Sequence, residues 1–172
     1  VGGAIVVEGQ LYRGLHNSAG EIGHITLDRE GDLCSCGCRG CVETYVSGPA
    51  LARRYTRLLQ REGCALFGAP VTGETVAARA REGDRLAQQV MVEGGEALGV
   101  AIASAAMLLD IDLFVIGSSV ARAADLLLEP ARRTLPTCSY GSVSARTRIQ
   151  VTDLWDDGPL LGCGWLARQA AL

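Results

Sequence analysis

Asp112-Leu113-Phe114-Val115-Ile116 is an uninterrupted apolar run that ends at Gly117-Ser118-Ser119. A strand of a parallel sheet reads this way, because crossover helices bury both of its faces. The patterns on either side agree. Upstream, Asp84 can cap a helix that is apolar on most sides through Leu109, and a helix that is apolar all round is a buried one. Its Gly94, Gly95 and Gly99 are poor helix formers, which points to close packing there. Downstream, a helix is expected over about 120–135, a second strand over 147–152 and a final helix over 159–170. Strands alternating with helices argue an α/β fold.

Nearer the start, residues 4–7 and 10–12 flank Glu8-Gly9 and read as a hairpin of two short strands. Residues 13–23 form a Gly-rich loop, 24–27 a third strand, and 28–40 a turn-rich segment. Ser47 can cap a helix over 49–61 with Pro49 in its first turn, and Thr72 another through Arg81, closed by Gly83. The chain opens with Val1-Gly2-Gly3 directly into a strand, as expected of a piece of a longer protein.

Hydrophobic residues make up 48% of the 172, which excludes a disordered chain. The net charge is −3 and all sixteen basic residues are Arg, so no electrostatic footprint for nucleic acid is expected. The longest apolar stretch, 100–109, is shorter than the roughly 20 residues that span a bilayer, and no basic leader precedes the first strand. The expectation is a cytoplasmic protein without a membrane partner.

Four of the seven cysteines fall within Cys34-Ser35-Cys36-Gly37-Cys38-Arg39-Gly40-Cys41. In a cytosolic chain such a cluster reads as a metal site rather than a disulfide frame. A structural zinc needs four N or S ligands in a tetrahedron. His24 lies ten residues before Cys34 and can supply a nitrogen. Spacing alone leaves open which three cysteines join it, since Cys38 is also within reach. Cys64, Cys138 and Cys163 have apolar or small sequence neighbours and are expected to be small core residues.

Gly20-Glu21-Ile22-Gly23-His24, followed by Cys34-x-Cys36-Gly37-x-x-Gly40-Cys41-x-Glu43, resembles the signature of the ROK family of bacterial glucokinases, related sugar kinases and sugar-responsive repressors. Ala80-Arg81-Glu82-Gly83-Asp84 and Val115-Ile116-Gly117-Ser118-Ser119-Val120 fit the same family in the same order. The resemblance implies a ribonuclease-H-like, actin-like ATPase fold, with residues 1–172 as the C-terminal lobe of a two-lobe sugar kinase and 14–47 as its zinc and sugar segment. It resolves the ligand set to His24, Cys34, Cys36 and Cys41, and implies that Glu21, His24 and Glu43 face a hexose. Carboxylates accept hydrogen bonds from sugar hydroxyls, and a His that binds metal through one nitrogen offers the other to an outer partner.

Phosphoryl transfer needs a base at the attacking hydroxyl and donors around the phosphates. In the family that base is an Asp directly after an Asn. Here the one Asn, Asn17, precedes Ser18, so the base is expected in an N-terminal lobe outside this chain. Gly2-Gly3 resembles the tail of a phosphate loop, and Gly117-Ser118-Ser119 stands where the family has a run of glycines near the adenosine of ATP, bound with Mg2+ by the whole protein. Ser118 departs from that pattern, and its Cβ would crowd a nucleotide. The leading expectation is the C-terminal half of an ATP-dependent hexose kinase, most similar to a glucokinase. The alternative is the effector-binding domain of a repressor, which would carry a winged helix-turn-helix upstream. Kinases for glucose, mannose, N-acetylglucosamine and N-acetylmannosamine share these pocket residues, and dimers or tetramers are common in the family.

Overall fold

Side-chain caps start three helices of the body. The computed structural model describes residues 1–64, 68, 70–117, 121–154 and 157–170. After the four-residue helix α1 (Glu43–Val46), the Ser47 hydroxyl accepts from the Ala50 amide and opens α2 (Gly48–Arg61). Thr72 and Thr75 form a reciprocal capping box on α3 (Gly73–Arg81). The Asp84 carboxylate accepts from the amides of Leu86 and Ala87 at the head of α4 (Arg85–Leu109). Each cap satisfies amides that no intrahelical carbonyl reaches and stabilises its helix by about 1 kcal/mol. Among the described residues α5 (Ala124–Thr134), α6 (Gly141–Arg146) and a terminal helix, α7 (Asp157–Ala170), follow.

The hairpin is as expected. Strand β1 (Ile5–Val7) pairs antiparallel with β2 (Gln10–Tyr12) across Glu8 and Gly9, both at positive φ. Strand β3 (Leu113–Ile116) runs parallel to β4 (Arg148–Val151). Phe114 and Ile116 pack inward, but Leu113 and Val115 are exposed, so among the described residues β3 is covered on one face, not two. The expected strand at 24–27 is instead a 3₁₀ turn (Ile22–His24) followed by a single bridge, Thr26 to Cys41.

Helix α4 organises the core. Leu51, Tyr55, Val76 and Leu127 pack on its N-terminal half, and Val42, Val46, Leu128 and Ile149 on its C-terminal half. A Cβ on Gly99 would lie 2.6 Å from the Ala131 carbonyl oxygen, and one on Gly95 would overlap that of Leu127, so the small stripe read from sequence is what lets α5 seat. At 25 residues α4 is long and apolar enough to cross a bilayer, which corrects the estimate from 100–109 alone, yet more than half of its most apolar stretch is buried in the protein. Cys64, beyond the end of α2, and Cys163, on the exposed surface of α7, are both exposed, and Cys138 is half-buried. Apolar sequence neighbours did not place Cys64 and Cys163 in the core, whereas Cys138 packs against its edge.

Candidate metal centre

The cysteine loop is held by backbone pairing at both ends. The Leu27 amide donates to Gly40 at 2.8 Å and the Val42 amide to Ile25 at 3.0 Å. Within the loop Leu33 pairs with Arg39, the Cys34 amide donates to the Cys38 carbonyl at 2.8 Å, and the Gly37 amide returns to Cys34 at 3.0 Å. Gly40 is at φ +59°, and a Cβ there would run into the Asp28 carbonyl oxygen, so only glycine fits the crossing. The pairing delivers Cys41 and Val42 to the core, where both are fully buried. The loop is also tied sideways: both oxygens of the Asp32 carboxylate accept from the Arg57 guanidinium on α2. These hydrogen bonds hold the Asp32 carboxyl below its ordinary pKa.

The four ligand atoms of His24, Cys34, Cys36 and Cys41 all lie within 4.8 Å of one another. Nδ1 of His24 is 3.6 Å from Sγ of Cys34, and Sγ of Cys36 is 3.6 Å from Sγ of Cys41. Zinc bonds of ordinary length at tetrahedral angles give about 3.6 Å between nitrogen and sulfur and about 3.8 Å between two sulfurs. The donor set therefore fits a tetrahedral zinc ion. Cys34 and Cys41 are buried, Cys36 and Cys38 exposed, and Cys38 stands outside the set of four. Burial, with hydrogen bonds to Cys36 and Cys34, pushes the Cys41 thiol up to about 12. An ion bound there must displace that proton.

The two carboxylates flank the imidazole. Oε2 of the exposed Glu21 is 3.9 Å from Nε2 of His24, the nitrogen turned away from the sulfurs. Glu43 opens α1, where the free amides of the first turn favour an anion. Its carboxylate accepts from the Ser35 hydroxyl at 3.5 Å. Glu43 lines a cleft of about 420 Å³ with Leu33, Cys34, Ser35 and Arg53, whereas Glu21 and His24 are not among its lining residues. A larger cleft of about 630 Å³, between Arg132, Leu135, Thr147 and Arg148, holds none of the residues singled out from sequence.

The residues read as nucleotide contacts are less closely grouped. Gly3 crosses Gly20, where a Cβ would lie 2.5 Å from the carbonyl oxygen, so packing alone demands glycine there. Gly2 is open on all sides, and Gly117 follows β3 beside Thr152. Ser118 and Ser119 lie outside the described residues. The Asp32–Arg57 tether was missed from sequence; three arginines at 53, 54 and 57 on one stretch of α2 were the available signal.

The sequence profile of the ROK family matches residues 1–170. The chain belongs to the ROK family. A glucokinase of Halalkalibacterium halodurans is 33% identical over 98% of this chain and 53% of its own length. A xylose repressor of Caldicellulosiruptor bescii is 27% identical over 95% of this chain and 42% of its own. Among solved structures, a ROK family glucokinase from Streptomyces griseus, in complex with glucose and AMPPNP, superposes with a TM-score of 0.84 at 31% identity, over 98% of this chain and 57% of that one. The mixed α/β chain thus matches a ROK sugar kinase structure and spans about half the length of the curated relatives it matches.

Proposed function

We infer that this chain is the C-terminal half of an ATP-dependent hexose kinase of the glucokinase type, with the zinc loop as the floor of its sugar site. The observation that carries the reading is the convergence of His24, Cys34, Cys36 and Cys41 beside two carboxylates, in a chain with 33% identity to a glucokinase. Zinc held by four protein ligands has no open position, so it supplies order to the loop rather than a reaction centre. The remaining work belongs to the side chains. Nε2 of His24 is left to hydrogen-bond a sugar hydroxyl, with Glu21 beside it. Glu43, a carboxylate at neutral pH like any ordinary Glu, accepts from a second hydroxyl. Together they orient the ring, and the base that takes the proton comes from the half of the protein that precedes Val1. Gly2, Gly3, Gly117, Ser118 and Ser119 contribute backbone to the nucleotide side, and ATP arrives with Mg2+. The lobe belongs to the ribonuclease-H-like, actin-like class.

The second reading, a sugar-responsive repressor whose effector occupies the same pocket, is favoured by the match to the xylose repressor over 95% of the chain. One pair of assays on the whole protein separates the two. Sugar-dependent ADP release supports the kinase. Sugar-sensitive binding to operator DNA without ADP release would replace it with the repressor. The 172 residues alone are expected to transfer no phosphate, and turnover by the isolated chain would overturn the division of labour between the halves.

A further inference from the structure

The loop carries one more thiol than a tetrahedral ion uses. Cys36 and Cys38 flank Gly37, whose φ of +92° folds the chain back on itself. The Gly37 amide donates to the Cys34 carbonyl at 3.0 Å and the Cys34 amide to the Cys38 carbonyl at 2.8 Å, so the chain reverses between Cys36 and Cys38. Cys34 and Cys41 are buried, whereas Cys36 and Cys38 are both exposed. Of the three sulfur donors, the one that solvent reaches is the one with a spare thiol at its side.

We propose that Cys36 and Cys38 form an oxidisable pair whose disulfide withdraws Cys36 from the donor set and releases the metal. The proposal rests on the reading of His24, Cys34, Cys36 and Cys41 as ligands. The oxidant is a hydroperoxide, for which hydrogen peroxide serves as the simplest case. The Cys38 thiolate attacks one peroxide oxygen, the O–O bond breaks, and hydroxide leaves to become water with the proton of the Cys38 thiol. The Cys36 thiolate then attacks the sulfenic sulfur of Cys38; an S–S bond forms, the S–O bond breaks, and hydroxide departs and takes a proton from solvent to become a second water, since Cys36 as a metal ligand carries none. The two sulfurs have lost two electrons, and the peroxide has taken up both electrons with two protons, one from the Cys38 thiol and one from solvent. The thiolate is the metal ligand, and a disulfide sulfur carries no such charge, so three donors remain. Bridging residues two apart closes a small ring, a geometry that favours easy reduction and makes the bond a reversible switch rather than a staple.

The test uses zinc-loaded protein exposed to hydrogen peroxide, with a chromophoric chelator reading released zinc and peptide mass spectrometry locating the bridge. The parent should release its zinc with a Cys36–Cys38 disulfide. Cys38→Ser should hold as much zinc before oxidation and release it at least about tenfold more slowly. Equal release rates, or a bridge elsewhere such as Cys34–Cys36, would overturn the proposal and leave the ligand set standing. A parent protein that binds no zinc would overturn the ligand reading, and the proposal with it.

Discussion

Nδ1 of His24 lies 3.6 Å from Sγ of Cys34, while Nε2 of the same ring lies 3.9 Å from Oε2 of Glu21. One imidazole therefore joins the thiol cluster to the carboxylate side of the site. Its two nitrogens face different groups: Nδ1 the thiols, Nε2 the Glu21 carboxylate.

That division makes the metal content of variants informative. The parent chain should bind one zinc, measured by mass spectrometry of the metal after dialysis against a chelator. His24→Ala should lose it, because three sulfurs leave the tetrahedron open. Cys38→Ala should keep it. Zinc that depends on Cys38 but not on His24 would refute the assignment and remove the basis for a sugar contact from Nε2.

Glu43 tests the sugar side separately. Glu43→Gln keeps the shape and removes the charge that accepts from Ser35 and would accept from a sugar hydroxyl. Hydrogen bonds to a charged group are worth about 1.5–3 kcal/mol, so glucose affinity of the whole protein should fall by about tenfold or more. Zinc content should not change. Calorimetry with glucose, alongside the metal measurement, checks both; an unchanged affinity would take Glu43 out of the pocket.

The parts of this structure that were legible in the sequence are those governed by neighbours along the chain. Ser47, Thr72 and Asp84 could be read as caps because a cap needs only its own first turn. Gly95 and Gly99 declared close packing by breaking a helical pattern. The four-thiol run pointed to a cluster of thiols able to hold a metal, but not to which sulfurs converge, since Cys36 and Cys38 are equivalent by spacing. The fold of the loop brings Cys36, and not Cys38, together with His24, Cys34 and Cys41, although both are exposed. Asp32 and Arg57 meet across 25 positions, and no local rule pairs them. Cys163 was misread for the opposite reason: its neighbours are apolar, but α7 is exposed along most of its length.

Gly40 is the position where the loop has least latitude. Its φ of +59° and the Asp28 carbonyl against it exclude a side chain on two independent grounds. Gly40→Ala should displace the strand segment that carries Cys41, abolishing zinc binding and lowering stability by more than about 2 kcal/mol. Gly37→Ala, at positive φ but with open space around it, should cost about 1 kcal/mol and retain zinc. Thermal unfolding with and without chelator separates the two. Equal effects would show that conformation, not the crossing with Asp28, governs the loop.

Asp84 joins a cap to the core, and its pH dependence follows from that. The carboxylate accepts from Leu86 and Ala87 at the head of α4 and from the Tyr55 hydroxyl at 2.5 Å. Burial alone would push its pKa up; the Tyr55 hydrogen bond and the two amides outweigh it and hold the group below its ordinary value. Tyr55, fully buried, is pushed up to about 12 by burial and by the same carboxylate, so it stays a donor at any working pH. A carboxyl with a depressed folded pKa contributes its full stability above the unfolded value, about 3.9, and loses it as pH falls through the folded one. Asp84→Ala should therefore destabilise the protein by about 2–4 kcal/mol at pH 7, combining a lost cap with a buried hydroxyl deprived of its carboxylate. The difference from the parent should shrink below about pH 4, as the parent's own carboxylate becomes protonated. Urea unfolding at pH 7, 4 and 3 reads this directly, and a gap that stays constant over that range would show that the charge of Asp84 contributes nothing.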